Sequence, residues 1–404
     1  SRLRASSIRQ RSAHPLSSPP PHPTVDSIPR CEHWLRRPGH VSRRRRAVLV
    51  ALMSWDRFHS DEPGDRSGED YWSASIDWVL RAQGFDVEYM TPKEYSHLIH
   101  HNLKRMLSGD ITRVFVREGA FAFGRFAKIL REEPLAACRI TALDFWGNLD
   151  PRREAWSKDF EGSRWPLGPQ NIVSPYRNSK TVGLPYFPHS LITLQDRPSI
   201  NATRRRAGFV LGKICRYFEG AGGKVVRALV DAGFEVHTTV SSAECPDALG
   251  DLAITSHGVM TPQVFSLFLR DFAFIVGLGD PIVSPTPIEG LVAGAAFLNP
   301  VGSSGYPPHY NASFGQHGAI AHLGAPYVYN YPHGDAQAAV AAAEEAVALR
   351  FASYLPPSLH VASVAAHVCA AMSNDGPCTC ALSNHTPREC HGESPFGGYA
   401  VVLP

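Results

Sequence analysis

The chain has 404 residues, too many for one ordinary core, so two domains are expected. With 44% hydrophobic and 19% charged residues it has the balance of a soluble globular protein. The net charge of +3 sits unevenly: residues 1–46 hold an excess of Arg, including Arg43 to Arg46, and the remainder is near neutral to slightly acidic. Such an arm can touch nucleic acid or a membrane surface. No aromatic residues interleave regularly with the arginines, so a solvated, disordered leader is the simpler reading and nucleic acid is not expected as a partner.

The longest apolar run near the N-terminus, Ala47 to Met53, is far short of the ~20 residues a membrane span needs. The sequence opens on Ser rather than Met, and a fragment whose membrane anchor lies elsewhere is expected. Eight cysteines are present, four of them in the last 36 residues, with no CxxC pair of the zinc-ribbon type. An even count with a Cys-containing tail suits disulfides in an oxidising lumen, whose pairing spacing alone does not give. Three sequons, at Asn201, Asn311 and Asn384, point to the same secretory compartment.

After the leader (1–46), periodicity predicts a helix over Glu69 to Gln83, a strand Phe85 to Tyr89 and a helix near Lys93 to Leu107. A strand Ile111 to Val116, a helix Phe121 to Glu132 and a strand Arg139 to Phe145 follow. Residues 150–205 break the rhythm and read as a loop-rich connection. The alternation restarts with strand Gly208 to Leu211, helix Gly223 to Ala232, strand Phe234 to Val240, helix Pro262 to Arg270 and strand Phe272 to Gly277. Helix Pro285 to Ala293, strand Ala296 to Leu298, strand Tyr327 to Tyr331, an Ala-rich helix Asp335 to Tyr354 and a helix Ser358 to Met372 complete it. Strands alternating with helices mean parallel sheets. The expected fold is α/β, two Rossmann-like domains facing across a cleft: 47–190, then 191–372, then a tail 373–404.

Ligands in such sheets bind beyond the C-terminal strand ends. The most informative end is Phe272-Ala-Phe-Ile-Val-Gly-Leu-Gly-Asp280, followed by a Pro-rich turn and a helix with Ser284 as N-cap and Pro285 at its first position. Gly277, Gly279, Ser284 and Thr286 are therefore candidates to cradle a diphosphate with backbone N–H groups and the helix dipole. Glu289, one turn in, either accepts from ribose hydroxyls or simply complements the dipole.

That run, Val276-Gly-Leu-Gly-x-Pro, then Pro-x-Pro-Ile-Glu289, then Gly294-Ala-Ala-Phe-Leu-Asn-Pro300, resembles the donor-site segment of the N-acetylglucosaminyltransferase V family. Leu143-Asp-Phe-Trp-Gly147, Tyr186-Phe-Pro-His-Ser190, Gly208-Phe-Val210 and Glu235-Val-His-Thr-Thr-Val240 are similar to family elements in the same order. The resemblance runs from about residue 68 to residue 350. It implies a GT-B fold and inverting, metal-independent transfer of N-acetylglucosamine from UDP-GlcNAc to a mannose 6-hydroxyl of N-glycans in the Golgi lumen. No cofactor or metal site is implied. The family's catalytic base opens the first helix of the acceptor domain, and the spacing of Gly68-Glu69 to Gly84-Phe-Asp-Val87 carries that role to Glu69. One carboxylate taking the acceptor proton suits a single inverting displacement; a plain first-turn helix acid is the alternative.

The sequence departs from the family pattern at Val283, where the family has a glutamate, and at residues 301–310, which contain none of the family's lysines. Lys213 and Arg216 are the candidate substitute cations, with His309 a poorer one. Trp146, Trp156 and Trp165 are candidates to stack on sugar faces, and His189 to order a cleft loop. His100 and His101 have no partner at ligand spacing, so a metal is not expected there. Two further readings stay open: a GT-B transferase with another donor or acceptor, and a catalytically silent relative.

Overall fold

The computed structural model describes residues 46–50, 68–90, 105, 111–117, 140–143, 172–174, 182–183, 206–240, 245–280, 282, 284–302, 315–318, 320–360, 363–365 and 368. Within them the alternation of apolar runs and helical segments builds two six-stranded sheets, with every pairing parallel.

The first sheet contains β1 (Arg46–Val50), β2 (Asp86–Met90), β3 (Arg113–Arg117), β4 (Ile140–Leu143), β5 (Ile172–Ser174) and β6 (Val182–Gly183), in the order β2-β1-β3-β4-β5-β6. Helix α1, Gly68–Ala82, links β1 to β2. It buries Ile76, Val79 and Leu80 on one face, the spacing of an amphipathic helix. Arg81 Nε donates to Asp77 Oδ1 at 2.8 Å and Arg81 Nη2 donates to the Val87 carbonyl at 3.3 Å, fastening the end of α1 to β2. Arg105 makes a two-point pair with Glu88 on β2, both bonds at 2.7 Å.

The second sheet contains β7 (Ala207–Val210), β8 (Glu235–Thr238), β9 (Ile254–Ser256), β10 (Phe274–Val276), β11 (Ala296–Val301) and β12 (Val328–Pro332), ordered β12-β11-β10-β7-β8-β9. Its helices are α2 (Ala221–Asp231), α3 (Pro246–Leu249), α4 (Pro262–Phe268), α5 (Thr286–Ala293) and α6 (Ala336–Ala348). Both faces of this sheet are covered, and Phe274, Ile275 and Val276 on β10 are each 0% exposed. Helix α2 buries Gly222, Val225, Val226 and Leu229. Helix α6 buries Ala339, Ala342, Ala343 and Ala346, and this small-residue face lets it lie alongside α2. Arg206 pairs with Glu344 on α6, and its guanidinium sits 4.0 Å from the Phe234 ring centroid.

Several boundaries differ from expectation. The stretch 150–205, expected to be a loop-rich connection, contributes β5 and β6 to the first sheet, and β9 was not anticipated. These strands are two or three residues long, too short to show a period. Helix α6 stops at Ala348 instead of reaching Tyr354. There the chain turns extended, Phe351 enters the core at 3% exposure, and the Tyr354 N–H donates to the Leu291 carbonyl at 2.9 Å. Tertiary contacts thus override helix propensity. Apart from Arg105, the helices expected near Lys93 to Leu107 and Phe121 to Glu132 lie outside the described residues, as does most of Ser358 to Met372.

One cysteine pairing is resolved: Cys215 is disulfide-bonded to Cys245, with Cα atoms 5.2 Å apart. It ties the 3-10 turn Cys215–Phe218, which follows β7, to the residue that caps α3.

Candidate functional site

In the second sheet the chain runs outward from β7 through β8 to β9, then returns to the other side of β7 as β10 and continues to β11 and β12. Where strand order reverses, the two crossovers lie on opposite faces and leave a crevice beyond the strand ends. The reversal here falls between β7 and β10, so the segments bounding the crevice are those that follow these two strands.

After β7 come Lys213 and Arg216, both exposed, and Tyr217. Burial pushes the Tyr217 phenol up, and the neighbouring Asp280 carboxylate adds to the shift while Arg216 opposes it. Arg216, Tyr217 and Asp280 therefore form one electrostatic group bridging the two segments. The segment leads into α2, where Gly222 lies against Leu278.

After β10 comes the turn Gly277-Leu278-Gly279, all buried. The Gly277 N–H extends the ladder to the Leu298 carbonyl at 3.0 Å, and its carbonyl accepts from the Tyr331 hydroxyl at 2.6 Å. The Leu278 carbonyl lies 3.3 Å from His333 Nε2. The Gly279 N–H donates to Gln316 Oε1 at 2.9 Å. Gly279 has φ of 102°, a conformation that favours glycine, and a side chain at Gly277 would overlap Gln316. The N–H groups of Leu278 and Asp280 take no partner among the described residues.

Helix α5 starts at Thr286, one residue later than expected, with Pro285 rather than Ser284 at the N-cap position. The Thr286 N–H donates to Ser284 Oγ at 3.4 Å, and Pro285 already has helical angles. Its first turn nevertheless has few amides to offer. Pro285 and Pro287 have no N–H, and those of Ile288 and Glu289 both donate to the Pro285 carbonyl, at 3.0 and 3.1 Å. What α5 brings to an anion is mainly its dipole. Glu289 is 1% exposed, and its Oε2 accepts from Ser266 Oγ at 3.4 Å.

Residues 315–318 cross the ends of β10 and β11, and this segment carries groups that sequence reading passed over. The Gln316 N–H donates to the Pro300 carbonyl at 3.0 Å, and the His317 N–H to Asn299 Oδ1 at 3.1 Å. Asn299 Nδ2 donates to Asn330 Oδ1 at 2.7 Å. His317 is 1% exposed, and burial pushes its imidazole down to about 4, against the opposing backbone hydrogen bonds of its own residue and of Ser284. The ring is thus neutral at ordinary pH. The only local signal for this segment is the pair of glycines, Gly315 and Gly318, bracketing two polar residues.

Glu69 is the second residue of α1. A helix that follows a strand in a parallel sheet starts on the C-terminal side of that sheet, and β1 lies at the reversal of the first sheet, next to β3. The Glu69 side chain, Trp146, Trp156, Trp165, His189, Val283, His309, His100 and His101 lie outside the described residues. Among the described residues no group of three His, Cys, Asp or Glu is disposed to hold a metal ion, and no helix is long and apolar enough to cross a membrane. His237 on β8 and His257 after β9, whose Nδ1 and Nε2 approach to 2.9 Å, belong to the β8–β9 edge of the sheet, where the His237 ring packs 5.0 Å from that of Phe272.

The family model of glycosyltransferase family 18 matches residues 189–390, half of the chain. The chain is similar to the alpha-1,6-mannosylglycoprotein 6-beta-N-acetylglucosaminyltransferase A of Homo sapiens, at 25% identity over 170 residues. That match covers 40% of this chain and 22% of the relative. It is similar to the B enzyme of Homo sapiens at 22% identity over 249 residues, 54% of this chain and 30% of the relative. The chain thus spans less than a third of the length of these relatives. Among solved structures it resembles the glycosyltransferase SnogD from Streptomyces nogalater, at 16% identity and a TM-score of 0.40, covering 81% of this chain and 100% of that one. It also resembles a putative UDP-N-acetylglucosamine 2-epimerase from Listeria monocytogenes, at 9% identity and a TM-score of 0.46, covering 85% and 98%.

Proposed function

The chain belongs to glycosyltransferase family 18 and has two successive Rossmann-like units of the GT-B type, and from this premise we propose that it transfers N-acetylglucosamine from UDP-GlcNAc to a mannose 6-hydroxyl of an N-glycan. The observation that carries the proposal is the strand order of the second sheet, whose reversal falls between β7, followed by the exposed Lys213 and Arg216, and β10, followed by a buried glycine turn. The curated relatives, named for transfer of N-acetylglucosamine to mannosylglycoproteins, supply the sugar and the acceptor class.

In this reading the diphosphate of the donor lies over the β7–β10 reversal. Its two negative charges are met by Lys213 and Arg216, by the amides of Leu278 and Asp280, and by the dipoles of α2 and α5. Glu289 is assigned to the ribose, which requires its carboxylate, 1% exposed and held by Ser266 Oγ in this structure, to be uncovered when the donor binds. Glu69 takes the proton from the acceptor hydroxyl as that oxygen attacks the anomeric carbon. The bond from that carbon to the diphosphate oxygen breaks, and UDP leaves with the electron pair. Configuration inverts, and no metal or cofactor takes part. Trp146 and His189 belong to the acceptor side. The secretory lumen, with the Golgi as the site of N-glycan branching, suits both the resolved disulfide and the sequons.

The test is UDP release from a panel of UDP-sugars, in the presence of EDTA and with a mannose-terminated N-glycan. Release from UDP-GlcNAc that persists in EDTA supports the proposal. Preference for another UDP-sugar replaces the donor, and it is the expected result if Val283 and the lysine-free stretch 301–310 have altered specificity. No release and no binding of any UDP-sugar overturns the catalytic reading.

A further inference from the structure

The two sides of the β7–β10 crevice are built differently. On the β7 side the polar groups are exposed side chains. On the β10 side they are backbone groups of a buried turn, held at four points from later in the chain, three of them by side chains and one by the Leu298 backbone carbonyl. The Gly279 N–H goes to Gln316, the Gly277 carbonyl to Tyr331, the Leu278 carbonyl to His333, and the Gly277 N–H to Leu298. These partners lie 37, 54 and 55 residues away for the three side chains, so none of this is local turn chemistry. Gln316 is 1% exposed, and its own N–H is fastened to Pro300. It occupies the space that a side chain at Gly277 would need.

We infer that Gln316 is a positioning residue for the sugar-nucleotide donor: with Tyr331 and His333 it fixes the shape of the Gly277–Gly279 turn, leaving the Leu278 and Asp280 amides for the donor. This rests on the donor-site reading of the crevice. Gln316 takes the Gly279 N–H, a donor otherwise available to a phosphate, while Tyr331 and His333 hold the carbonyls of Gly277 and Leu278, so the turn works as a preformed surface of fixed curvature. Binding then avoids the cost of ordering it. Because Gln316 acts through the turn, its loss raises the donor KM and leaves the chemical step intact.

The experiment compares Gln316→Met, which keeps the volume and removes the acceptor, with Gln316→Glu, whose oxygen can accept from Gly279 in either protonation state. Both are measured on the 404-residue chain with UDP-GlcNAc, with thermal midpoints recorded alongside. One hydrogen bond predicts a donor KM about tenfold higher in Gln316→Met, with kcat within about twofold, and Gln316→Glu within about threefold of the parent. An unchanged donor KM in Gln316→Met, or equal losses in both variants, overturns the inference. If Gln316→Met does not fold, Tyr331→Phe decides: a raised donor KM at constant kcat supports it, and an unchanged KM overturns it. If the parent chain itself neither binds nor turns over UDP-GlcNAc, the donor reading has failed on its own account. Deuterium exchange at residues 277–280 then judges the clamp: faster exchange in Gln316→Met but not in Gln316→Glu supports it, and no difference overturns it.

Discussion

The two sheets have the same strand number and direction, yet their orders differ. The first runs β2-β1-β3-β4-β5-β6 and the second β12-β11-β10-β7-β8-β9. In the first the chain reverses after one step outward, so its reversal point lies between β1 and β3. In the second it takes two steps, and the reversal falls at the centre of the sheet, between β7 and β10. Position of the reversal, more than strand composition, decides which loops become functional. In each unit the candidate residues follow a reversal strand: Glu69 on the helix after β1, Lys213 and Arg216 after β7, the glycine turn after β10. The proposed function thereby divides the labour, with proton transfer assigned to the first unit and donor binding to the second.

The sharpest way to break that division is Glu69→Gln. Loss of a general base is expected to lower kcat by about three orders of magnitude while donor affinity, measured by calorimetry with UDP, stays within about twofold. A matching loss of UDP affinity would mean that the two units do not divide the work. The converse is Lys213→Ala combined with Arg216→Ala. Removing two cations from the second unit should raise the donor KM about tenfold to a hundredfold, reduced by salt, with a much smaller change in kcat. An effect of comparable size on acceptor KM would contradict it.

Stability should separate the units as well. Replacing Cys215 and Cys245 by Ala removes a 30-residue loop closure and should cost about 3 kcal/mol, read as a lower unfolding midpoint of the second unit. Acid should also act on the second unit first, through His317. Its folded value of about 4 lies below the ordinary 6.5, so the unfolded chain binds the proton more readily. Stability is therefore full above pH 6.5 and declines as pH falls towards 4, by an amount on the order of 3 kcal/mol. His317→Gln should flatten the slope of unfolding midpoint against pH across that window. An unchanged slope would show that His317 is not the group responsible.

Much of this was legible residue by residue. The buried run ending in Val276, the glycines 277 and 279, and Ser284 ahead of two prolines announce a strand, a tight turn and a helix start from local chemistry. The Ala-rich pattern announces α6, though not its end at Ala348, because what stops it is the seat of Phe351 in the core. Strands β5, β6 and β9 escape because two or three residues carry no period and are stabilised by neighbours far away in sequence. Glu289 is named correctly as a polar residue of the α5 first turn, but its burial against Ser266 depends on how α4 packs.

Sequence by itself therefore determined the alternation of strands and helices, the two-unit organisation and the family, because hydrophobic period, turn residues and ordered motifs are local properties. Tertiary structure decided the two strand orders, the choice of Cys245 as partner for Cys215 among eight cysteines, and the role of Gln316, Tyr331 and His333 around the glycine turn. Each of these joins residues tens of positions apart. The free energy that selects them comes from burying apolar surface and satisfying polar groups in one shared core, which no window of sequence contains.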